Sequence, residues 1–266
     1  MKIQLKKTSI AYDDVGQGMP ILFIHGYPLN RSMWQPQLSG LKDIARVLSM
    51  DLRGHGESEQ VAGPYSMELF ADDCMEFLDS LHINQKIILC GLSMGGYISM
   101  AFYRKYAQHL AGLILTATRA GADSPEARNN RDKAIAQTVE NGPGPIIQGM
   151  LGKLLSPSTF SERPGLVQDT RQIMESISAE TIIADLQALK ERPDSTSILP
   201  TIREPVCIIH GADDQIIPLT EAQAMKNVIP DARLHVLEKA GHLLNLEQPE
   251  SFNQAVQQFL NEIKDR

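Results

Sequence analysis

Cys90-Gly91-Leu92-Ser93-Met94-Gly95-Gly96 is the most informative segment of this chain. It continues the apolar run that begins at Lys86, and it places a serine between two glycines. The pattern predicts a strand, a very sharp turn and a helix, because such a turn has no room for Cβ atoms two residues on either side of its tip. Ser93 would present its hydroxyl at that tip, beside the free N–H groups of the helix that begins near Met94. An ordinary tight turn between a strand and a helix is the alternative.

An acid follows downstream of this serine. The run Pro205-Val-Cys-Ile-Ile-His210 is apolar and β-branched, and Gly211 closes it. It predicts a buried parallel strand that ends in a loop. The loop contains Asp213 and Asp214, so one of the two is expected at the carboxyl edge of the sheet, where α/β folds bind their ligands.

A histidine follows the acid. His242 comes directly after Gly241, in a loop between the predicted strand Arg233–Leu237 and a helix expected to start near Pro249. A neutral imidazole with a pKa near about 6.5 can accept the proton of a serine hydroxyl, and a carboxylate can fix its tautomer. For four other histidines a structural role is favoured, since they lie in predicted strands or near helix ends: His82, His109, His210 and His235.

Five motifs in register give the chain its resemblance to the α/β-hydrolase fold family. In chain order they are His25-Gly-Tyr-Pro28, Asp51-Leu-Arg-Gly-His-Gly-Glu-Ser58, Gly91-Leu-Ser-Met-Gly-Gly96, Gly211-Ala-Asp-Asp214 and Gly241-His242. Within the family, the chain resembles small carboxylesterases and enol-lactone hydrolases. The resemblance implies a doubly wound, mostly parallel sheet flanked by helices, with a helical cap inserted after the sixth core strand.

The resemblance also assigns the catalytic residues. It makes Ser93 the nucleophile and His242 the base. Asp214 becomes the acid, because the spacing from Gly211 through Asp214 to Pro218 is similar to the acid loop of the family; Asp213 is the second candidate. The expected reaction is a two-step acyl transfer on a small-molecule ester or lactone, without a metal or another cofactor.

The N–H groups of Tyr27 and Met94 are the expected oxyanion hole. Gly26 would let the backbone bend so that the Tyr27 amide faces the substrate. His25 is expected to support this loop by hydrogen bonding, and contact with the substrate is the alternative. In the Asp51–Ser58 turn, the resemblance implies a structural role for Arg53 and His55, beneath the site.

The chain from residue 119 to 196 predicts helices rather than strands. Ser124-Pro125 is typical of a helix start, with a capping serine and a proline at the first position. We therefore predict a core of residues 1–118 and 197–266 and a helical cap of residues 119–196. Five apolar cap residues are candidates to line the pocket, with packing inside the cap as the alternative for each: Met150, Leu151, Leu154, Leu155 and Met174.

Arg119 bears on the choice of substrate. It follows a predicted strand at the junction of core and cap, where it could bind a substrate carboxylate bidentately. Pairing with Asp123 or Glu126 is the favoured alternative. Because Arg119 is the only cation that the sequence places near the site, neutral esters or lactones are the expected substrates.

Composition narrows the class of protein. The chain has 266 residues, 42% of them hydrophobic, and a formal net charge of −7. This balance argues against a nucleic-acid partner, which needs clustered Lys and Arg. No signal-peptide pattern or long apolar run is present, so a cytoplasmic protein without a membrane anchor is expected. The three cysteines, Cys74, Cys90 and Cys207, are expected as reduced thiols.

Other functions fit the same motifs. A cofactor-free perhydrolase with haloperoxidase activity, or a carbon–carbon bond hydrolase, would use the same three residues. A sensor that binds a small molecule in the same cavity with little turnover is a further alternative. The sequence makes no prediction of acyl length or of oligomeric state.

Overall fold

A single eight-stranded sheet organises the fold in the computed structural model, which describes residues 1–264. The strands are β1 (Lys2–Gln4), β2 (Ser9–Val15), β3 (Pro20–Ile24), β4 (Arg46–Met50), β5 (Ile87–Leu92), β6 (Leu110–Thr116), β7 (Val206–Gly211) and β8 (Ala232–Leu237). Their order across the sheet is β1-β2-β4-β3-β5-β6-β7-β8. β1 and β2 pair antiparallel with each other, and β2 pairs antiparallel with β4. All strands from β3 to β8 run parallel, which confirms the predicted fold class.

Helices connect the strands and cover both faces of the sheet. The α-helices are α1 (Gln35–Leu41), α2 (Met67–Ser80), α3 (Met94–Tyr106), α4 (Pro125–Asn141), α5 (Gly144–Leu154), α6 (Pro157–Glu162), α7 (Pro164–Glu175), α8 (Ala179–Glu191), α9 (Leu219–Val228), α10 (Leu244–Glu247) and α11 (Pro249–Lys264). Short 3₁₀ helices span Arg31–Trp34, Ala107–His109 and Thr196–Thr201. In the described chain, no helix is both long and apolar enough to cross a membrane.

Strand β3 shows how the core is divided between the two faces. Side chains alternate along a strand, and a central parallel strand is buried on both sides. Leu22 and Ile24 therefore pack into one buried cluster, with α2 and α3, whereas Phe23 packs into the other, against Trp34 at a ring distance of 4.8 Å. All five residues of β3 are buried, so the carboxyl ends of the central strands are held rigidly.

Five helices, α4 to α8, lie between β6 and β7 and form what we call the insertion (residues 119–196). Ser124 caps α4 by accepting a hydrogen bond from the Ala127 amide, and Pro125 occupies the first turn, as the sequence predicted. The insertion contains no strand among its residues, all of which the structure describes. The division of the chain into a core and a separate cap stays a prediction.

Two strands extend further than the sequence indicated. β5 runs to Leu92, so no spacer separates the strand from Ser93, and β7 includes Gly211. The three cysteines are free and buried. Burial raises the pKa of each thiol, as expected for thiols that take no part in chemistry.

Candidate active site

Ser93 occupies a strained turn between β5 and α3. Its backbone has φ 55° and ψ −110°, a conformation that side-chain-bearing residues rarely adopt. A Cβ on Gly91 would lie 2.1 Å from the Gly95 carbonyl oxygen, and a Cβ on Gly95 would lie 2.3 Å from the Ile24 carbonyl oxygen. A side chain at Gly91 or Gly95 would therefore collide with the backbone, and this crowding is the reason that the sequence analysis predicted for the two glycines.

Two backbone amides near Ser93 are free to bind an oxyanion. Within residues 1–264, neither the Tyr27 amide nor the Met94 amide donates a hydrogen bond to a protein acceptor. Met94 is the first residue of α3, so its N–H also lies at the positive end of that helix. Gly26 brings the Tyr27 loop close to the turn, because a Cβ there would lie only 3.0 Å from Leu92 Cδ2.

Asp214, rather than Asp213, meets the histidine. Its Oδ2 accepts a hydrogen bond from His242 Nδ1 at 2.8 Å, and its Oδ1 accepts from the amides of Ile216 and Ile217 at 2.8 and 3.0 Å. Burial raises the pKa of Asp214, but His242 and the two amides outweigh it and hold the pKa below its ordinary value. Asp213 is exposed and lies outside the site.

A second histidine lies against the same carboxylate. His210 Nε2 is 3.7 Å from Asp214 Oδ2, but it hydrogen-bonds the Ile217 carbonyl at 2.9 Å. Burial lowers the pKa of His210, so this imidazole stays neutral. His210 therefore does not neutralise Asp214, and His242 is the imidazole that hydrogen-bonds this carboxylate.

The loop that carries His242 is anchored by a residue that the sequence reading missed. Glu247 is buried, and its carboxylate accepts hydrogen bonds from the Gly241 amide at 2.6 Å, the Ser156 amide at 2.7 Å and the Thr159 hydroxyl at 2.6 Å. Ser156 and Thr159 belong to the insertion. A carboxylate that follows the histidine by five residues, after three leucines and Asn245, is the signal that could have identified it.

One cavity of about 110 Å³ brings the predicted site residues together. It is lined by Tyr27, Ser93, Met94, Tyr97, Arg119, Arg131, Met150, Leu189, Ile216, Ile217 and His242. A groove of about 550 Å³ adjoins it between α4 and α5 and shares five of these residues: Tyr27, Arg119, Arg131, Met150 and Ile216. Among the described residues, no hydrogen bond joins the Ser93 hydroxyl to His242; in unliganded enzymes this contact is often long.

Two predicted contact residues lie away from the cavity. His25 is fully buried, with Nδ1 3.0 Å from the Gly26 carbonyl and Nε2 accepting from the Leu52 amide, so it supports the loop. Leu154 is also fully buried and packs into the core with Ile147 and Leu151, whereas Met150, one helical turn before it, is only partly buried and reaches the cavity. The remaining cap candidates, Leu151, Leu155 and Met174, are buried in the same cluster and do not line the cavity.

Asp123 binds three arginines beside the cavity. Its carboxylate accepts hydrogen bonds from Arg119 Nη2 at 2.9 Å and Arg131 Nε at 3.1 Å, and it forms an ion pair with Arg192 Nη1 at 2.8 Å. Burial raises the pKa of Asp123, but Arg131 and Arg192 outweigh it and hold the pKa below its ordinary value. The expected Arg119–Asp123 pair is thus present, while the expectation of a single cation at the site is wrong, because Arg131 lines the same cavity.

A buried pair ties the insertion to the turn beneath the site. His55 Nε2 lies 2.8 Å from Asp185 Oδ2 of α8, and both side chains are fully buried. Burial lowers the pKa of His55, but Asp185 raises it more, so the pKa lies above its ordinary value. Arg53 in the same turn pairs with Asp73 of α2. His55 and Arg53 both lie outside the cavity lining, in agreement with their predicted structural role.

No metal centre is evident in the part of the chain that the structure describes, where no group of three or more His, Cys, Asp or Glu side chains is arranged to hold an ion.

Comparison with known proteins identifies relatives of the whole chain. Residues 19–249 match the model of the alpha/beta hydrolase fold family. The chain is 31% identical to 3-oxoadipate enol-lactonase 2 of Acinetobacter baylyi over 89% of this chain and 86% of that protein. It is also 31% identical to non-heme chloroperoxidase CPO-A1 of Kitasatospora aureofaciens, over 96% of both. A thermophilic esterase from Thermogutta terrifontis, solved with malate bound, has a similar structure, with a TM-score of 0.96, 40% identity and 99% coverage of both chains.

Proposed function

Because this chain belongs to the α/β hydrolase fold family, we propose that it hydrolyses carboxylic esters or lactones of small molecules through Ser93, Asp214 and His242. One observation carries the proposal: Ser93 on its strained turn and His242, bonded to Asp214, line the same cavity. The enol-lactonase and esterase relatives support a carboxylic ester or lactone as the bond that is cleaved.

The hydrogen bond to Asp214 determines how His242 acts. Since Nδ1 donates to Asp214, the neutral ring leaves Nε2 without a proton, as the base. Nε2 takes the proton of Ser93 as the serine oxygen forms a bond to the carbonyl carbon. The imidazolium that results is stabilised by the ionised Asp214.

The tetrahedral intermediate would place its oxyanion between the amides of Tyr27 and Met94. Collapse breaks the bond to the alkoxy oxygen, which takes the proton from His242 and leaves an acyl-enzyme. Water then gives a proton to His242, attacks the acyl carbon, and releases the acid as the proton returns to Ser93. In a lactone, the alcohol stays attached to the acyl group, so a single hydroxy acid is the product.

Replacement of the nucleophile tests this mechanism. Ser93→Ala should lower kcat on p-nitrophenyl esters by on the order of a millionfold, as in other serine hydrolases. A fluorophosphonate should label wild-type protein at Ser93 and leave the variant unlabelled. Ser251→Ala, at an exposed position on α11, is the matched control and should keep wild-type kcat. A folded Ser93→Ala protein that retains more than a few per cent of activity would exclude Ser93 as the nucleophile.

Perhydrolysis is a second candidate, favoured by the chloroperoxidase relative. Hydrogen peroxide would replace water in attack on the acyl-enzyme and release a peracid. Peracid formation from acetate ester and peroxide, lost in Ser93→Ala, would support it. Steady multiple turnover on any ester separates both enzymatic functions from that of a sensor with little turnover.

A further inference from the structure

The cavity and the adjoining groove have a charge opposite to that of the chain. The chain carries a formal net charge of −7. Among the residues that line the two spaces, however, the cations are Arg119, Arg131 and Lys153, and Asp123 is the only carboxylate. A locally positive, partly enclosed space in an acidic protein attracts anions.

Arg192 is the buried member of the three arginines around Asp123. Its side chain is 2% exposed, forms an ion pair with Asp123 and donates to the Leu189 carbonyl at 2.7 Å and to the Gly121 carbonyl at 3.1 Å. Its guanidinium also lies over the Tyr97 ring, 4.2 Å from the centroid. Asp123 thus brings one negative charge to three arginines, so the cluster keeps a net positive charge, and Arg119 and Arg131 present it at the cavity wall.

The two arginines at the wall also have unused donors. Arg131 bonds Asp123 through Nε alone, and within residues 1–264 neither of its terminal nitrogens donates to a protein acceptor. Arg119 bonds Asp123 through Nη2, and within the same residues its other terminal nitrogen, Nη1, donates to no protein acceptor. Both side chains are about a quarter exposed, at 27% and 25%. A guanidinium fixed at one nitrogen with the others free matches the two oxygens of a carboxylate.

We propose that the ester or lactone cleaved at Ser93 carries a carboxylate group, and that Arg131 and Arg119 bind this group while Asp123 positions them. The inference rests on the proposed function, since it names the substrate class of that site. It reverses the expectation of a neutral substrate, which assumed that Arg119 was the only cation and was neutralised by its partner.

Matched substrates test the proposal. Monomethyl succinate, glutarate and adipate carry a carboxylate where methyl butyrate, valerate and hexanoate carry a methyl group. Methanol release gives kcat/KM for each pair, and the measured quantity is the ratio of the anionic to the neutral value. In wild-type protein we expect this ratio to exceed about ten for at least one chain length, because a charge-assisted bidentate bond is worth roughly that factor or more.

Variants assign the effect to the arginines. In Arg131→Gln, the ratio should fall by about ten- to a hundredfold, with a smaller fall in Arg119→Gln and an intermediate one in Arg131→Lys, which keeps the charge but not the fork. Arg128→Gln is the control, since Arg128 lies on the same helix but bonds Lys190 and Glu191 and lines neither space. Circular dichroism and Tm establish that each variant is folded.

Two results overturn the proposal: a wild-type preference for the neutral ester at every chain length, or a ratio in Arg131→Gln equal to that of wild type. The second would show that Arg131 only holds the insertion in place. If no ester is turned over and the fluorophosphonate does not label Ser93, the proposed function fails separately. Calorimetric titration with glutarate then decides the anion site: binding that Arg131→Gln weakens supports it, and absence of binding rejects it.

Discussion

Two buried carboxylates lie beside residues that line the cavity: Asp214 bonds His242, and Asp123, in the insertion, bonds Arg119 and Arg131. Asp214 follows a core strand and faces the ring of His242 and two backbone amides. Asp123 follows β6 and faces three arginines that are charged at all times. Both side chains are fully buried, and both have a pKa below the ordinary value.

The two carboxylates differ in the balance between their own charge and the charge of their partners. Asp214 has more negative charge than its partners compensate, so it favours the positive charge that forms on His242 during proton transfer. Asp123 carries one negative charge against the three positive charges of its arginine partners. It therefore holds these cations in place while leaving a net positive charge for an anionic substrate. In the proposed mechanism, the same chemical group thus serves the reaction step in the core and substrate selection in the insertion.

The strongest test of this contrast is the loss of charge at Asp214. Asp214→Asn should lower kcat by about 10⁴-fold on anionic and neutral esters alike, because the amide presents the wrong tautomer of His242. Asp213→Asn, the adjacent control, should stay near wild type. Initial rates on both classes of ester measure the effect. Equal losses in the two variants would contradict the assignment of Asp214 as the acid.

Loss of charge at Asp123 should act on stability and selectivity instead. Asp123→Asn leaves Arg192 buried without its counter-ion, so the free energy of unfolding should fall by about 3–5 kcal/mol. Urea denaturation measures this, with the exposed Asp169→Asn as control. The ratio of anionic to neutral kcat/KM should also fall as Arg119 and Arg131 lose their fixed position. If Asp123→Asn lowered kcat as much as Asp214→Asn, the two carboxylates would not have separate roles.

The stabilising effect of Asp123 should depend on pH. Because its folded-state pKa is lowered, its contribution is complete above the unfolded carboxyl pKa of about 3.9 and is lost as the pH falls through the folded value. The difference in unfolding free energy between wild type and Asp123→Asn should therefore be full at neutral pH and shrink below about pH 4. A difference that grows on acidification would contradict an ionised Asp123.

Salt should give the smallest of the expected effects. Raising the ionic strength from about 0.05 M to about 0.5 M should lower kcat/KM for monomethyl glutarate by roughly two- to fivefold, since screening weakens attraction to the partly exposed arginines. Methyl valerate is the neutral control and should change little. If kcat/KM fell equally for both esters, the arginines of the insertion would have no part in attracting the substrate.

The core half of the site could be predicted because its signals are local in the sequence. Gly91, Ser93 and Gly95 are fixed by crowding within one turn, and His242 follows the last strand with a glycine before it. The choice of Asp214 over Asp213 depended on family resemblance, since the direction of a side chain in a loop is not readable from apolar patterns.

The insertion was less predictable because its contacts join distant helices. Arg131 lies only eight residues from Asp123, but the third partner, Arg192, comes from the end of α8, which packs on α4. A signal for Arg131 was present, since the small residues Ala127 and Ala134 flank it at helical spacing. Leu154 lies in the core with Ile147 and Leu151, whereas Met150, one helical turn before it, lines the groove; two apolar residues at this spacing do not reveal from sequence which of them is fully buried.

The Glu247 carboxylate has a consequence for exchanging the insertion between relatives. A transplanted insertion without the Ser156 amide and the Thr159 hydroxyl in register would leave Glu247 with only the Gly241 amide as a partner. The histidine loop would then lose its anchor although every catalytic side chain was still encoded. A chimera intended to change the substrate range should therefore replace only the residues of α4 and α5 that line the groove. It should keep residues 156–159, because they hold Glu247 in place.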